Sequence, residues 1–263
     1  MLYKNVNGIS IAYEMKGQGP ALVLLHGFSL DSRIWRPQLD IFAEKFTVIA
    51  WDAPGAGKSS DPPKTFTVND WANCLSDFLN SIGVNEANVL GLSWGGILAQ
   101  VFYSYHSRKI SSLILADTYA GWKGSLPKLI YDERLSSCIR DSLLPPDQFV
   151  MKYLPGMFSD SASMKVQDEA AGIMAGFHPL GFRLMAMASA IDTNELLPAI
   201  KVPTLLIWGE QDKRSPVIGA VKMHALIPGA KLEIIPEAGH ISNLEQPSKF
   251  NKIVIDFCLS LYK

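Results

Sequence analysis

Cysteine is scarce in this chain of 263 residues. Cys74, Cys138 and Cys258 are odd in number, lie far apart and form no C-x-x-C. A disulfide framework and a zinc site are therefore disfavoured, and a reducing compartment is expected. Each of the three reads as a small buried hydrophobe. An excess of charge is missing too. Lys and Arg number 24 against 25 Asp and Glu, which leaves no basic surplus for nucleic acid. Apolar residues make up 48% of the chain, too many for a disordered one. No uninterrupted apolar run reaches about 18 residues, so no spanning helix and no membrane partner are expected. Polar residues break up the first eight positions, Met1–Gly8. No secretory core is expected there, and a cytoplasmic location is.

Several chemical motifs are also lacking. There is no H-E-x-x-H and no clustered Cys/His set, so no metal is implied. The stretch Gly55-Ala56-Gly57-Lys58-Ser59 resembles part of a nucleotide loop. A Walker loop, however, needs Gly where Asp52 stands, and a dinucleotide fingerprint needs Gly where Ser60 stands. The segment from Asp52 to Ser59 reads instead as a turn-rich loop after a strand, with Lys58 on the surface. No organic cofactor is implied.

What is present is a rhythm. Apolar runs occur at 21–25, 47–51, 88–91, 112–116, 203–208 and 231–235. Continuous runs suit strands covered on both faces, the habit of parallel sheets. Helix-length amphipathic segments lie between them, at 68–82, 97–106 and 217–227. This alternation predicts an α/β domain with a mostly parallel sheet. The rhythm breaks once, over 122–195, which is helical in character and cut by Pro127, Pro145, Pro146, Pro155 and Pro179. It is also rich in Met. Residues 1–121 and 196–263 are thus expected to form the core domain. Residues 122–195 are expected to form a helical lid over the carboxyl edge of the sheet, where such folds bind ligands.

After the run ending at Leu90 comes Gly91-Leu92-Ser93-Trp94-Gly95, followed by a helix. G-x-S-x-G in a strand–turn–helix context is the setting of a nucleophile elbow. The glycines are needed because a side chain at 91 or 95 would clash in so sharp a reversal. A Ser hydroxyl needs a base to take its proton. Of the five histidines, His240 follows the last strand on a loop at the carboxyl edge. His106 and His224 fall late in helices, His178 falls in the lid, and His26 is expected to brace the neighbouring loop. The base in turn needs a carboxylate. Asp212, in the loop after 203–208, is favoured, with Asp117 and Glu210 as alternatives. The order Ser93, Asp212, His240 is that of nucleophile, acid and histidine in the hydrolase pattern. Acyl transfer also needs N–H donors for the developing oxyanion. Trp94, next to the nucleophile, and Phe28, in the loop His26-Gly27-Phe28, are the expected donors. His26, Gly27, Trp122, Met151, Met157 and Ile241 are the expected pocket residues.

Taken together and in order, these pieces resemble the α/β-hydrolase superfamily along essentially the whole chain. The stretch His240-Ile241-Ser242-Asn243-Leu244-Glu245-Gln246-Pro247 is similar to the ending of 3-oxoadipate enol-lactonase-like enzymes and small carboxylesterases. The resemblance implies a mostly parallel central sheet flanked by helices, with a helical lid inserted after the sixth strand. It implies a serine hydrolase acting on a small-molecule ester or lactone, partly apolar. Ser93 argues against relatives with an Asp nucleophile. A C–C bond hydrolase, a perhydrolase and a non-catalytic ligand receptor are the alternatives on the same scaffold.

Overall fold

The strand β3 (Ala21–Leu25) shows why its sequence is apolar throughout. In the computed structural model, which describes residues 1–262, Val23 and Leu25 pack into one core cluster and Leu22 and Leu24 into another. Successive side chains of a strand point to opposite faces, so two separate cores lie on the two sides of the sheet. The split repeats in β4 (Thr47–Trp51), β5 (Ala87–Leu92), β6 (Ile110–Ala116) and β7 (Thr204–Gly209). In β7, for example, Leu206 and Trp208 face one core while Leu205 and Ile207 face the other.

Eight strands form one sheet, in the order β1 (Leu2–Val6), β2 (Ile9–Lys16), β4, β3, β5, β6, β7 and β8 (Lys231–Ile235). The strands from β3 to β8 pair in parallel. The edge pair β1 and β2 is antiparallel. β1 has no counterpart in the sequence reading. Four of its five residues are exposed, so it carries none of the apolar signal of a buried strand.

Helices cover both faces. On one side lie α2 (Val68–Ser81), α3 (Trp94–His106) and α9 (Val217–Leu226), which contribute Trp71, Phe78, Phe102 and Met223 to the core. Thr67 and Asp70 close a reciprocal capping box at the start of α2. On the other side lie α1 (Arg36–Ala43) and α11 (Pro247–Ser260), which bury Phe42, Phe250 and Phe257. The short helix α10 (Ser242–Glu245) precedes α11.

Between β6 and β7 the chain leaves the sheet and forms five helices: α4 (Trp122–Ser125), α5 (Lys128–Asp141), α6 (Pro146–Tyr153), α7 (Met164–Met174) and α8 (Pro179–Ser189). Four of the five prolines mark helix starts, with Pro127 and Pro145 in the capping position and Pro146 and Pro179 in the first turn, while Pro155 follows the end of α6. α8 joins the two cores. Its Leu184 and Met185 pack with one, its Phe182 and Ala186 with the other. The insertion is therefore anchored to the sheet rather than tethered beside it. All three cysteines are free and buried. Among the described residues no helix is long and apolar enough to cross a membrane.

Candidate active site

The strand β5 runs straight into α3, and the single residue between them is Ser93. Its backbone sits at φ 53° and ψ −114°, a conformation that costs a non-glycine residue of order 1–3 kcal/mol. The surroundings enforce it. A Cβ on Gly91 would lie 2.2 Å from the Gly95 carbonyl oxygen, and a Cβ on Gly95 would lie 2.2 Å from that of Leu25. Only glycine fits at either place, because backbone fills the space a side chain would need. The Ser93 amide donates to the Ala116 carbonyl at 2.8 Å, and the Thr118 hydroxyl donates to the Ser93 carbonyl. The hydroxyl of Ser93 is thus presented at the N-terminus of α3, where helix N–H groups favour nearby negative charge.

The loops after β7 and β8 bring two more side chains to this point. His240 Nε2 lies 2.8 Å from Ser93 Oγ, and His240 Nδ1 lies 2.8 Å from Asp212 Oδ2. Asp212 is buried, and its oxygens are well supplied with donors. Oδ1 accepts from the amides of Arg214 and Ser215, each at 2.8 Å, and Oδ2 accepts from the Ser215 hydroxyl. A carboxylate so held fixes the imidazole with its proton on Nδ1 and its lone pair on Nε2, facing the serine. The insertion helps to hold the histidine. The His240 amide donates to the Met157 carbonyl at 2.9 Å. Glu245 accepts from the amide of Gly239 at 2.7 Å and from the amide of Ser159 at 2.9 Å.

The other candidate acids are placed differently. Asp117, at the end of β6, is fully buried but, among the described residues, hydrogen-bonds to no histidine. It accepts from the Gly209 amide at 2.8 Å and from the Ser242 hydroxyl. It therefore ties the loop that carries Asp212 to the loop that carries His240. Full burial, and secondly the negative charge of Asp212, push its carboxyl well above the usual carboxylate range. Glu210 is exposed and accepts from the Glu237 amide at 3.4 Å.

The loop after β3 lies opposite. Among the described residues no hydrogen bond within the chain uses the amide of Phe28 or of Trp94, so both remain free for a ligand. A Cβ on Gly27 would come within 3.4 Å of the Ser93 Cβ, which shows how closely this backbone approaches the serine. His26 stands behind the loop. Its Nε2 accepts from the Ala53 amide at 3.0 Å, which leaves the proton on Nδ1 to be donated to the Gly27 carbonyl at 2.8 Å. Burial lowers its pKa and keeps it neutral. The carboxylate of Asp52 caps the next turn by accepting from Ser32 and Lys58 amides at 2.8 and 2.7 Å. The loop that resembled a nucleotide cradle is a brace, with the Lys58 side chain exposed.

A cavity of about 50 Å³ opens at Ser93 and His240. Phe28, Trp94, Trp122 and Met157 line it, as do Ile97, Tyr119 and Tyr153. Phe28 stacks on Phe182 with ring centroids 4.3 Å apart and meets Trp122 edge-on.

The sequence profile of the alpha/beta hydrolase family matches residues 22–253. The chain belongs to that family. This hydrolase is similar over nearly its whole length to several solved structures and curated sequences. A thermophilic esterase from Thermogutta terrifontis superimposes with a TM-score of 0.91 at 27% identity, covering 99% of this chain and 97% of that one. The 3-oxoadipate enol-lactonase 1 of Acinetobacter baylyi is 25% identical over 271 residues, 99% of this chain and 97% of its own. A putative 2-succinyl-6-hydroxy-2,4-cyclohexadiene-1-carboxylate synthase of Bacillus subtilis is 28% identical, covering 95% and 96% respectively.

Four of the six expected pocket residues do not line the cavity. Met151 is 76% exposed. α6 buries Phe149 and Tyr153, one helical turn apart, and Met151 falls between them on the opposite face. Ile241 is fully buried in the core beside α11 rather than in the cavity. His26 is buried behind its loop, as described. Gly27 meets Ser93 through backbone and lines no wall of the cavity. Sequence reasoning in turn missed Tyr119, Arg134, Tyr153 and Arg214 as cavity residues. Arg214 had a signal, being two positions beyond Asp212 on a site loop. Arg134 had none.

Proposed function

We propose that this hydrolase cleaves carboxylic esters or lactones through a covalent acyl-serine. The observation that carries the reading is the unbroken relay from Ser93 Oγ through His240 to Asp212, with 2.8 Å at each step. His240 Nε2 takes the Ser93 proton as Oγ attacks the substrate carbonyl carbon. The carbonyl electron pair moves to oxygen, and that oxyanion accepts from the amides of Phe28 and Trp94. One such donor contributes about 2.7–4 kcal/mol to the transition state. Asp212 stabilises the imidazolium formed in this step. Collapse of the intermediate breaks the carbon–oxygen bond, and the departing alkoxide takes the proton from Nε2. In a lactone that alcohol stays attached to the acyl chain. Water then attacks the acyl-serine, gives a proton to His240 and releases the acid, and the proton returns to Ser93. The helical insertion acts as a lid, supplying cavity walls and holding the His240 loop.

Turnover of a short p-nitrophenyl ester tests this reading, together with labelling by a serine-directed phosphonate. Wild type is expected to hydrolyse the ester and to gain one phosphonate adduct. Ser93→Ala is expected to lose the adduct and to lose turnover by about 10⁴-fold or more. Absence of turnover and adduct in the folded wild type would sink the enzymatic reading in favour of a ligand receptor.

A further inference from the structure

Two arginines enter the cavity beside Ser93, and neither meets an acid. Arg134 comes from α5 and Arg214 from the loop after Asp212. Among the described residues no ion pair includes either guanidinium. The acids nearby are otherwise engaged. Asp141 is held by Lys152 and by the Tyr153 hydroxyl, each at 2.8 Å. Asp212 is taken up by Ser215, the Arg214 amide and His240.

Each guanidinium is instead positioned by neutral groups. Arg134 Nη1 donates to the Tyr119 hydroxyl at 2.8 Å, and its Cζ lies 5.5 Å from the centre of the Trp122 ring. Arg214 Nη2 donates to the carbonyls of Tyr153 and Pro155. Its Nε is buried and has no hydrogen-bond partner among the described residues. Burial, and secondly the charge of Arg134, lower the pKa of Arg214. Two like charges and an unmet donor in a largely buried wall are costly, since a desolvated cation without a counter-charge is strongly unfavourable. A bound anion would relieve both. The planar fork of a guanidinium matches a carboxylate. The cavity is small, and apart from the catalytic pair, Cys138 and Ser189 its other walls are aromatic or aliphatic, which suits a short chain ending in one compact charge.

We propose that Arg134 and Arg214 form an anion subsite in the Ser93 cavity, and that the hydrolase acts on short esters or lactones bearing a free carboxylate. This deepens the hydrolase reading and rests on it for turnover, though not for binding.

The test compares monomethyl succinate with its apolar isostere, methyl 4-methylpentanoate. In wild type, kcat/KM is expected to favour the charged ester by at least tenfold. Arg134→Met keeps the bulk and removes the charge. It is expected to lower the ratio of charged to apolar kcat/KM by about 10- to 100-fold, the worth of one charge-assisted hydrogen bond. Arg214 also pins backbone carbonyls, so Arg214→Lys, which keeps the charge, is the safer partner variant, with thermal unfolding as the check on folding. A wild-type preference for the apolar ester, or an unchanged ratio in a folded Arg134→Met, would overturn the subsite. Calorimetric titration of succinate into the Ser93→Ala variant separates the two readings. Binding that weakens at least tenfold on adding Arg134→Met supports the subsite even if neither ester turns over, in which case only the hydrolytic reading fails. No binding of succinate, or equal binding with and without Arg134, overturns the subsite whatever the turnover.

Discussion

The sheet edge and the helical insertion face each other across one cavity, and they satisfy their polar groups in different ways. At the sheet edge the two buried aspartates have partners inside the chain. Asp212 meets two amides, a hydroxyl and an imidazole, while Asp117 meets two amides and a hydroxyl. Across the cavity, the guanidinium of Arg134 in the insertion meets only a phenol and aromatic rings. A preorganised edge is what transition-state stabilisation requires, since donors already aimed need no reorganisation. An under-satisfied wall is what ligand selection requires, since its missing partner must come from outside. On the proposed reading the chemistry belongs to the sheet edge, while the choice of substrate is shared between Arg134 of the insertion and Arg214 on the loop that follows Asp212.

The strongest way to break this contrast is to exchange the roles of the two buried aspartates. Both sit at strand ends, but only Asp212 touches His240. Asp212→Asn is expected to reduce kcat for a short ester by about 10⁴-fold, because an amide no longer fixes the productive imidazole tautomer. Asp117→Asn acts only through the loops it ties together and is expected to cost no more than about 100-fold. Equal losses in the two variants, measured by steady-state kinetics on proteins with matched circular dichroism, would erase the distinction.

The sheet edge was also the legible side. Its strands announce themselves because burial on both faces leaves no room for polar residues. Gly91 and Gly95 announce the elbow because backbone occupies the volume of any side chain there. Such constraints are local and therefore written at fixed spacing. The insertion obeys weaker rules. Its helices and proline boundaries can be read, yet periodicity says which face is buried, not what that face is buried against. Met151 shows the limit. A richness in Met suggested a cavity wall, but Phe149 and Tyr153 one turn apart already defined the inward face of α6. Tyr119 and Arg134 were invisible for a different reason, since the cavity wall they share joins a loop after β6 to α5 through a contact of side chains alone. The strand β1 was missed because an exposed edge strand needs little apolar pattern.

The two methionines on either side of Tyr153 sharpen the boundary between wall and surface. Met157 is buried and lines the cavity, whereas Met151 points outward. Met157→Ala is expected to destabilise the fold by about 2–5 kcal/mol, as for other buried large-to-small changes. It should also raise KM for short esters several-fold. Met151→Ala is expected to stay within about 0.5 kcal/mol of wild type, with unchanged kinetics. Urea denaturation and initial rates check both. A destabilised Met151→Ala would mean that the outer face of α6 is covered in solution.

The smallest effect concerns Asp117 and pH, and its sign follows from linkage. Burial and the neighbouring Asp212 raise its pKa in the folded protein above that in the unfolded chain, while the hydrogen bonds from Ser242 and Gly209 offset part of that rise. The folded state therefore holds this proton to higher pH than the unfolded state does. Where the unfolded chain has already lost the proton, each rise in pH favours unfolding. The contribution of Asp117 is thus fully present below about pH 3.9, the ordinary Asp value, and declines as pH rises toward the folded-state pKa. Asparagine has no proton to lose. The stability of wild type minus that of Asp117→Asn should consequently fall as pH is raised from about 4 toward neutrality. Paired urea titrations across that range measure the difference directly. A difference that grows with pH would mean that the hydrogen bonds from Ser242 and Gly209 outweigh burial, and that the fold holds Asp117 as a carboxylate.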